Sequence, residues 1–214
     1  MKTIKTYSIL LTAVATFTWC SISNASIINA TWNSDNYANL NCTYLYPFQN
    51  DTLDMDGILY GPFGRMVGTV TTDTIEDPTL TLDSAVQNDS GGMWIGYQVN
   101  VIMSVAFTFT TPGPTVGNPP NNDWFIASTV NPTLQVSGPY AGMYEGTLNY
   151  SGGTPIGIGD ELDYLYSIHF SGFTSYSFTQ EIIAQVAAVP EPGTLALMGM
   201  GGLMLALRLR RNQG

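Results

Sequence analysis

Between Ile95 and Phe109 every odd-numbered residue is apolar: Ile95, Tyr97, Val99, Val101, Met103, Val105, Phe107 and Phe109. The even positions include Gly96, Gln98, Asn100, Ser104 and Thr108. Successive side chains of an extended chain point to opposite faces, so a period of two sets one apolar face against a core. A helix would need apolar residues three and four apart, and this stretch lacks that spacing. The run is 15 residues long, beyond the roughly three to ten of an ordinary strand. A bend or bulge is therefore expected near residues 100–104.

The same alternation recurs. Leu162, Tyr164, Tyr166, Ile168 and Phe170 alternate with Asp163, Ser167 and His169, and Tyr176 and Phe178 alternate with Ser and Thr within 173–186. Weaker strand patterns cover 27–32, 66–72, 79–86, 124–129, 133–136 and 143–150. Turn-forming pairs separate them: Asp56-Gly57, Gly61-Pro62, Gly91-Gly92, Gly113-Pro114, Pro119-Pro120, Gly138-Pro139 and Gly152-Gly153. About nine short strands divided by turns predict an all-β fold, an antiparallel sandwich of jelly-roll-like form. The longest loop is expected at 111–123, and no internal repeat is visible.

The two ends follow different physics. Lys2 and Lys5 precede an uncharged, mostly apolar stretch at 9–19, and Ser23 and Ala25 form a small-x-small site. This predicts a signal peptide over 1–25, helical in its apolar part, cleaved after Ala25 and read by the Sec translocation machinery. Trp19 is too bulky to precede a lipidated Cys20. At the other end, Val189-Pro190-Glu191-Pro192 leads into an uncharged run at 195–207 that Arg208, Arg210 and Arg211 terminate. Prolines lack the backbone N–H and disfavour helix before them, so the motif stays extended. The apolar run alone would span roughly 20 Å as a helix, against a hydrocarbon core of about 30 Å. Counting 193–209 and letting the arginines snorkel gives a short transmembrane helix.

Pro190-Glu191-Pro192, the apolar run with Gly199, Gly201 and Gly202, and the terminal arginines together resemble the PEP-CTERM sorting signal of Gram-negative bacteria. The resemblance covers about the last 25 residues. It implies an exosortase-type membrane processing enzyme as partner, and carriers exported by bacteria that secrete exopolysaccharide. Trp94-Ile95-Gly96-Tyr97 and Gly152-Gly153-Thr154-Pro155 also look like patterns in the uncharacterised bodies of such proteins. The chain thus divides into 1–25, a 26–186 ectodomain and a 187–214 sorting tail. The precursor is expected at the inner membrane with its body outside the cytoplasm. After processing the body passes to the cell surface or extracellular matrix.

Once the ends are set aside, Arg65 is the body's single Lys or Arg, against fifteen carboxylates, a net −14. Such a body cannot neutralise phosphates, which excludes nucleic-acid binding. Its abundant aromatic and β-branched residues exclude disorder. Cys42 is the one cysteine of the mature chain, so no intrachain disulfide forms, and burial as a small hydrophobe is expected.

Catalytic constellations are sparse. His169 is the body's one histidine and reads as a surface strand residue rather than a triad base. Zinc would need about three His or Cys ligands. Asp160-Glu161-x-Asp163 and Asp51-x-x-Asp54-x-Asp56-Gly57 are the densest carboxylate clusters. The second has the Asp-x-Asp-Gly core of a calcium loop without its terminal Glu, so Asp51, Asp54 and Asp56 are candidate Ca²⁺ ligands, with solvated loop carboxylates as the plainer reading. No other cofactor is expected. Trp94 and Trp124 are the best-placed rings to stack on a sugar. The function expected is a non-catalytic surface or matrix protein, polysaccharide-binding in its sharpest form. The alternative is a glycoside hydrolase using two of the carboxylates.

Overall fold

The computed structural model describes residues 25–187, apart from 36–37, 46 and 117–123, together with Met200. The expected signal helix, the Pro190-Glu191-Pro192 motif and, Met200 apart, the C-terminal apolar run lie outside the described residues. Among the described residues no helix is long and apolar enough to cross a membrane.

Among the described residues eleven strands form two sheets, against about nine strands expected. They are β1 (Ile27–Ser34), β2 (Leu40–Leu45), β3 (Thr52–Leu59), β4 (Phe63–Thr72), β5 (Thr79–Asn88), β6 (Trp94–Met103), β7 (Phe107–Val116), β8 (Phe125–Leu134), β9 (Tyr144–Ile156), β10 (Glu161–Phe170) and β11 (Ser175–Val186). The first sheet has the order β1-β4-β11-β6-β9-β8 and the second β2-β3-β5-β10-β7. From β4 onward the chain folds back on itself as a jelly roll does: β4 pairs with β11, β5 with β10 and β6 with β9.

One ladder departs from the expected antiparallel pairing. β3 and β5 are parallel because β4, between them in sequence, belongs to the opposite sheet. Direction reverses once on the way out and once on the way back, so β3 and β5 run the same way. β2 and β3 were not expected as strands. The carboxylates of β3 masked an ordinary alternation in which Leu53, Met55, Gly57 and Leu59 are buried. Asp56-Gly57 accordingly lies within β3 instead of a turn, and Gly113-Pro114 lies within β7. β7 shortens the expected 111–123 loop, and the 133–136 strand merges into β8.

The 95–109 run is two strands, one in each sheet, with the bend at residues 104–106. Its odd residues face the core except Ile95, which is 52% exposed. A bulge against β9 between Trp94 and Gly96 inverts the parity there, so Trp94 and Tyr97 both point inward. Asn100 and Ile102, on the outward side, are also buried.

The core is rich in aromatic rings. Tyr97 lies 5.4 Å from Trp94 and 5.3 Å from Tyr164, centroid to centroid, and Tyr150 lies 5.8 Å from Tyr164. Burial holds the hydroxyls of Tyr97, Tyr150 and Tyr166 well above the ordinary tyrosine range. Buried Gln180 joins the sheets: it accepts from the Tyr166 hydroxyl at 2.5 Å and donates to the Tyr164 hydroxyl at 2.8 Å.

Candidate functional site

The outward face of the six-stranded sheet carries a polar row in strict cross-strand register. Arg65 of β4 stands opposite Glu181 of β11, Glu181 opposite Asn100 of β6, and Asn100 opposite Thr147 of β9. Strand spacing is about 4.8 Å, so the row spans roughly 14 Å across four strands. In the adjoining row, Gln98 faces Asn149.

The row is hydrogen-bonded along its length. Thr147 Oγ1 donates to Asn100 Oδ1 at 2.9 Å, and Gln98 Nε2 donates to the same oxygen at 2.7 Å. Asn100 Nδ2 reaches Glu181 Oε2 at 3.4 Å, and Asn149 Nδ2 donates to Ser128 Oγ at 3.0 Å. Arg65 Nε donates to both carboxylate oxygens of Asp35, at 2.9 and 2.7 Å. Held this way, the amides cannot rotate freely, and their donors and acceptors keep fixed directions.

A loop closes over one end. Between β8 and β9 the chain turns through Gly138 and Gly142, both at positive φ (84° and 86°), a conformation that a side chain with a Cβ rarely adopts. Backbone bonds from Gln135 N to Met143 O and from Gly142 N to Gln135 O, each 2.8 Å, pin the loop base. The loop carries Tyr140 over β11, where its hydroxyl donates to Glu181 Oε1. Partial burial raises the Tyr140 hydroxyl above its ordinary value and Glu181 adds to this, while Arg65 opposes it. Burial and then Glu181 likewise raise the Glu145 carboxyl. Arg65, bonded to Asp35 and Tyr140, stays cationic throughout.

The residues singled out from sequence fall elsewhere. Trp94 is fully buried and donates from Nε1 to Ser90 Oγ at 2.8 Å. Trp124 is 4% exposed and donates to the Thr154 carbonyl at 2.7 Å. Both rings are packed in the core, so neither offers a face to a sugar. Their glycine- and asparagine-rich flanks suggested exposure, but the large ring is worth more inside once its N–H finds a partner.

Asp51, Asp54 and Asp56 do not wrap a loop. Asp51 sits at φ 57° just before β3, and Asp54 and Asp56 lie two apart on its half-exposed side. An extended strand holds alternate carboxylates side by side instead of converging them on one ion. The structure adds neighbours to them: Asp83 pairs with Asp54 across β3–β5, and Asp163 with Ala85 across β5–β10. Among the described residues no group of three or more His, Cys, Asp or Glu is placed to hold a metal ion. His169 lies half-exposed on β10, 3.2 Å from Thr79 Oγ1 and 3.9 Å from Asp77. Ala25 is buried just ahead of β1, and the amide of Ser26, the residue after it, donates to Asp73 Oδ1 at 2.8 Å.

Sequence reasoning did not find the polar row. Its members are 34 to 116 residues apart along the chain, and Asn100, Thr147 and Glu181 each read alone as an ordinary polar residue on a strand. Two signals were available: Arg65 as the body's only Lys or Arg, and Tyr140 just behind a Ser-Gly-Pro turn.

The tail is settled by comparison. A family model described as the PEP-CTERM protein-sorting motif matches residues 188–211. The chain therefore carries a PEP-CTERM tail behind a β-rich domain, the tail of an exported, membrane-processed protein whose processing partner is an exosortase. No curated protein and no solved structure matches the chain.

Proposed function

We propose that the body is a non-catalytic polysaccharide-binding domain, delivered by its sorting tail to the cell surface or extracellular matrix. One observation carries this reading: the registered row Arg65–Glu181–Asn100–Thr147, with Tyr140 leaning over it. Sugars present many hydroxyls that both donate and accept, and a few fixed amide, carboxylate and guanidinium groups beside an aromatic ring suit them. The site thus moves from Trp94 and Trp124 to the open sheet face. A shallow face across several strands suits a chain lying across it.

The test is a glycan array and affinity electrophoresis with the full chain in detergent. Wild type binds one class of polysaccharide, and Tyr140→Ala, Glu181→Gln and Arg65→Ala each weaken it while their folds stay intact. Unchanged binding in all three variants would place the ligand elsewhere, and no binding to any glycan would sink the reading.

A second reading has one observation in its favour. Glu145 and Glu181 share this face, and burial and then Glu181 raise the Glu145 carboxyl, as suits the acid of a glycoside hydrolase pair. Turnover of a polysaccharide panel, lost in both Glu145→Gln and Glu181→Gln, would replace the binding function by the enzymatic one.

A further inference from the structure

Three sulfur atoms meet at the open edge of the sandwich. Cys42 Sγ lies 3.6 Å from Met55 Sδ and 3.7 Å from Met66 Sδ. They come from β2, β3 and β4, and thus from both sheets. Met55 and Met66 are fully buried, and Cys42 is half-buried on edge strand β2. Between residues 26 and 186 there are only five methionines, Met55, Met66, Met93, Met103 and Met143; two of them touch the single cysteine. A thiol has one proton, so it can donate to one of the two thioethers and leaves the other contact without a hydrogen bond.

We propose that Cys42, Met55 and Met66 form a three-sulfur site for a soft monovalent metal ion, Cu(I) in the native setting and Ag(I) as its redox-stable equivalent. Thiolate and thioether donors select such ions over hard ones. With metal–sulfur bonds of about 2.3 Å, a trigonal site needs sulfurs about 4 Å apart. The two observed separations require only a few tenths of an ångström of opening, which flexible methionines accommodate. Charge argues the same way. A thiolate and a monovalent ion sum to zero, so the filled site places no net charge beside Leu40, Leu59 and the other buried apolar residues. A divalent ion would leave an uncompensated charge there.

Entry and proton balance are defined. The half-exposed Cys42 marks the way in from the sheet edge, and the −14 body draws cations toward the surface. Without metal the cysteine is a thiol, since burial pushes it up to about 11, with the Ser34 backbone favouring the thiolate. Binding therefore exchanges one ion for one proton: the S–H bond breaks, the S–metal bond forms, and the proton leaves to solvent. No electron is transferred.

The experiment uses the full chain in detergent carrying Cys20→Ser, which removes the competing thiol of the leader. Ag(I), and Cu(I) buffered by a chelator, are titrated and followed by native mass spectrometry and thermal melting. One ion per chain is expected, with affinity falling about tenfold for each pH unit below the thiol value. Cys42→Ser should abolish the tight site, and Met55→Leu and Met66→Leu should each weaken it at least tenfold. Zn(II) should not compete. X-ray absorption of the Cu(I)-loaded wild type reads the ligands without a variant: an all-sulfur shell near 2.3 Å supports the site. A shell containing nitrogen or oxygen overturns it. So does the absence of stoichiometric binding, or full affinity in both methionine variants, which would reduce the event to a reaction of the thiol alone.

Discussion

The Tyr140 hydroxyl donates to the Glu181 carboxylate, tying the β8–β9 loop to a strand 41 residues further along the chain. The bond fixes the aromatic ring above the polar row at the sheet face. Tyr140→Phe should keep the ring and lose only the tether, so polysaccharide binding should fall less than for Tyr140→Ala. For the alanine variant we expect about a tenfold loss, which equals about 1.4 kcal/mol. Both variants should melt within about 0.5 kcal/mol of wild type, because the loop lies outside the core. Calorimetric titration and melting curves check both statements.

Gln180 is the polar keystone of the interior. Replacing it with Ala removes the partner of the Tyr164 and Tyr166 hydroxyls and leaves a void. A Tyr166 hydroxyl left without its acceptor, a Tyr164 hydroxyl that loses one of its partners and a small cavity should cost about 3 kcal/mol, or roughly 6–12 °C in Tm for a domain of this size. Denaturant melts of Gln180→Ala and Gln180→Glu decide it. A loss below about 1 kcal/mol in both would show that the tyrosines find other partners.

The acidic face of the five-stranded sheet should make the protein more stable as pH falls from neutral. Burial, and then Asp56, raises Asp54; burial, and then Asp54 and Asp163, raises Asp83; burial, and then Asp163, raises Glu161. A carboxyl with a raised folded-state value holds its proton more tightly when folded. Its stabilisation is complete below the ordinary values of 3.8 for Asp and 4.5 for Glu, and is lost as pH rises through the raised value. Asp83→Asn should therefore stabilise the protein at pH 7 by about 0.2–1 kcal/mol through relief of the Asp54 pair, with less effect in high salt. A divalent cation would act on the same repulsion. At ~100-fold excess over its Kd, Ca²⁺ would add about 2.7 kcal/mol. Identical melts with Ca²⁺ and with chelator would leave the acidity to solubility alone.

Cleavage after Ala25 would turn the Ser26 amide into a free ammonium 2.8 Å from Asp73 Oδ1. The hydrogen bond then becomes an exposed ion pair worth under about 1 kcal/mol. N-terminal sequencing of the exported protein should begin at Ser26. Asp73→Asn should lower the Tm of that protein slightly, and should do so less when extra residues precede Ser26. A start elsewhere, or an equal effect in both forms, would remove the pair.

The sorting tail predicts a cut. Mass spectrometry of the native protein should place its C-terminus close to Pro190–Pro192, and a Glu191→Ala variant should keep its tail in the membrane fraction. The arginines at 208, 210 and 211 are expected on the cytoplasmic side. A native protein that ends at Gly214 and stays membrane-bound would make the tail a plain anchor.

Sequence alone determined three things: the β class, the address and the charge. The alternation at Ile95–Phe109 and Leu162–Phe170 reports which side of a strand is buried, a local property that a period of two records directly. The Pro190-Glu191-Pro192 tail is likewise contiguous, so its meaning needs no fold. Tertiary structure decided everything that depends on which strand lies beside which. It put Arg65, Glu181, Asn100 and Thr147 in one row, brought Cys42, Met55 and Met66 to one point, set β3 parallel to β5, and took Trp94 and Trp124 into the core. Alternation gives a residue its face but not its neighbour. Neighbours follow from cross-strand register between segments far apart in the chain, fixed only when both sheets close over a shared interior.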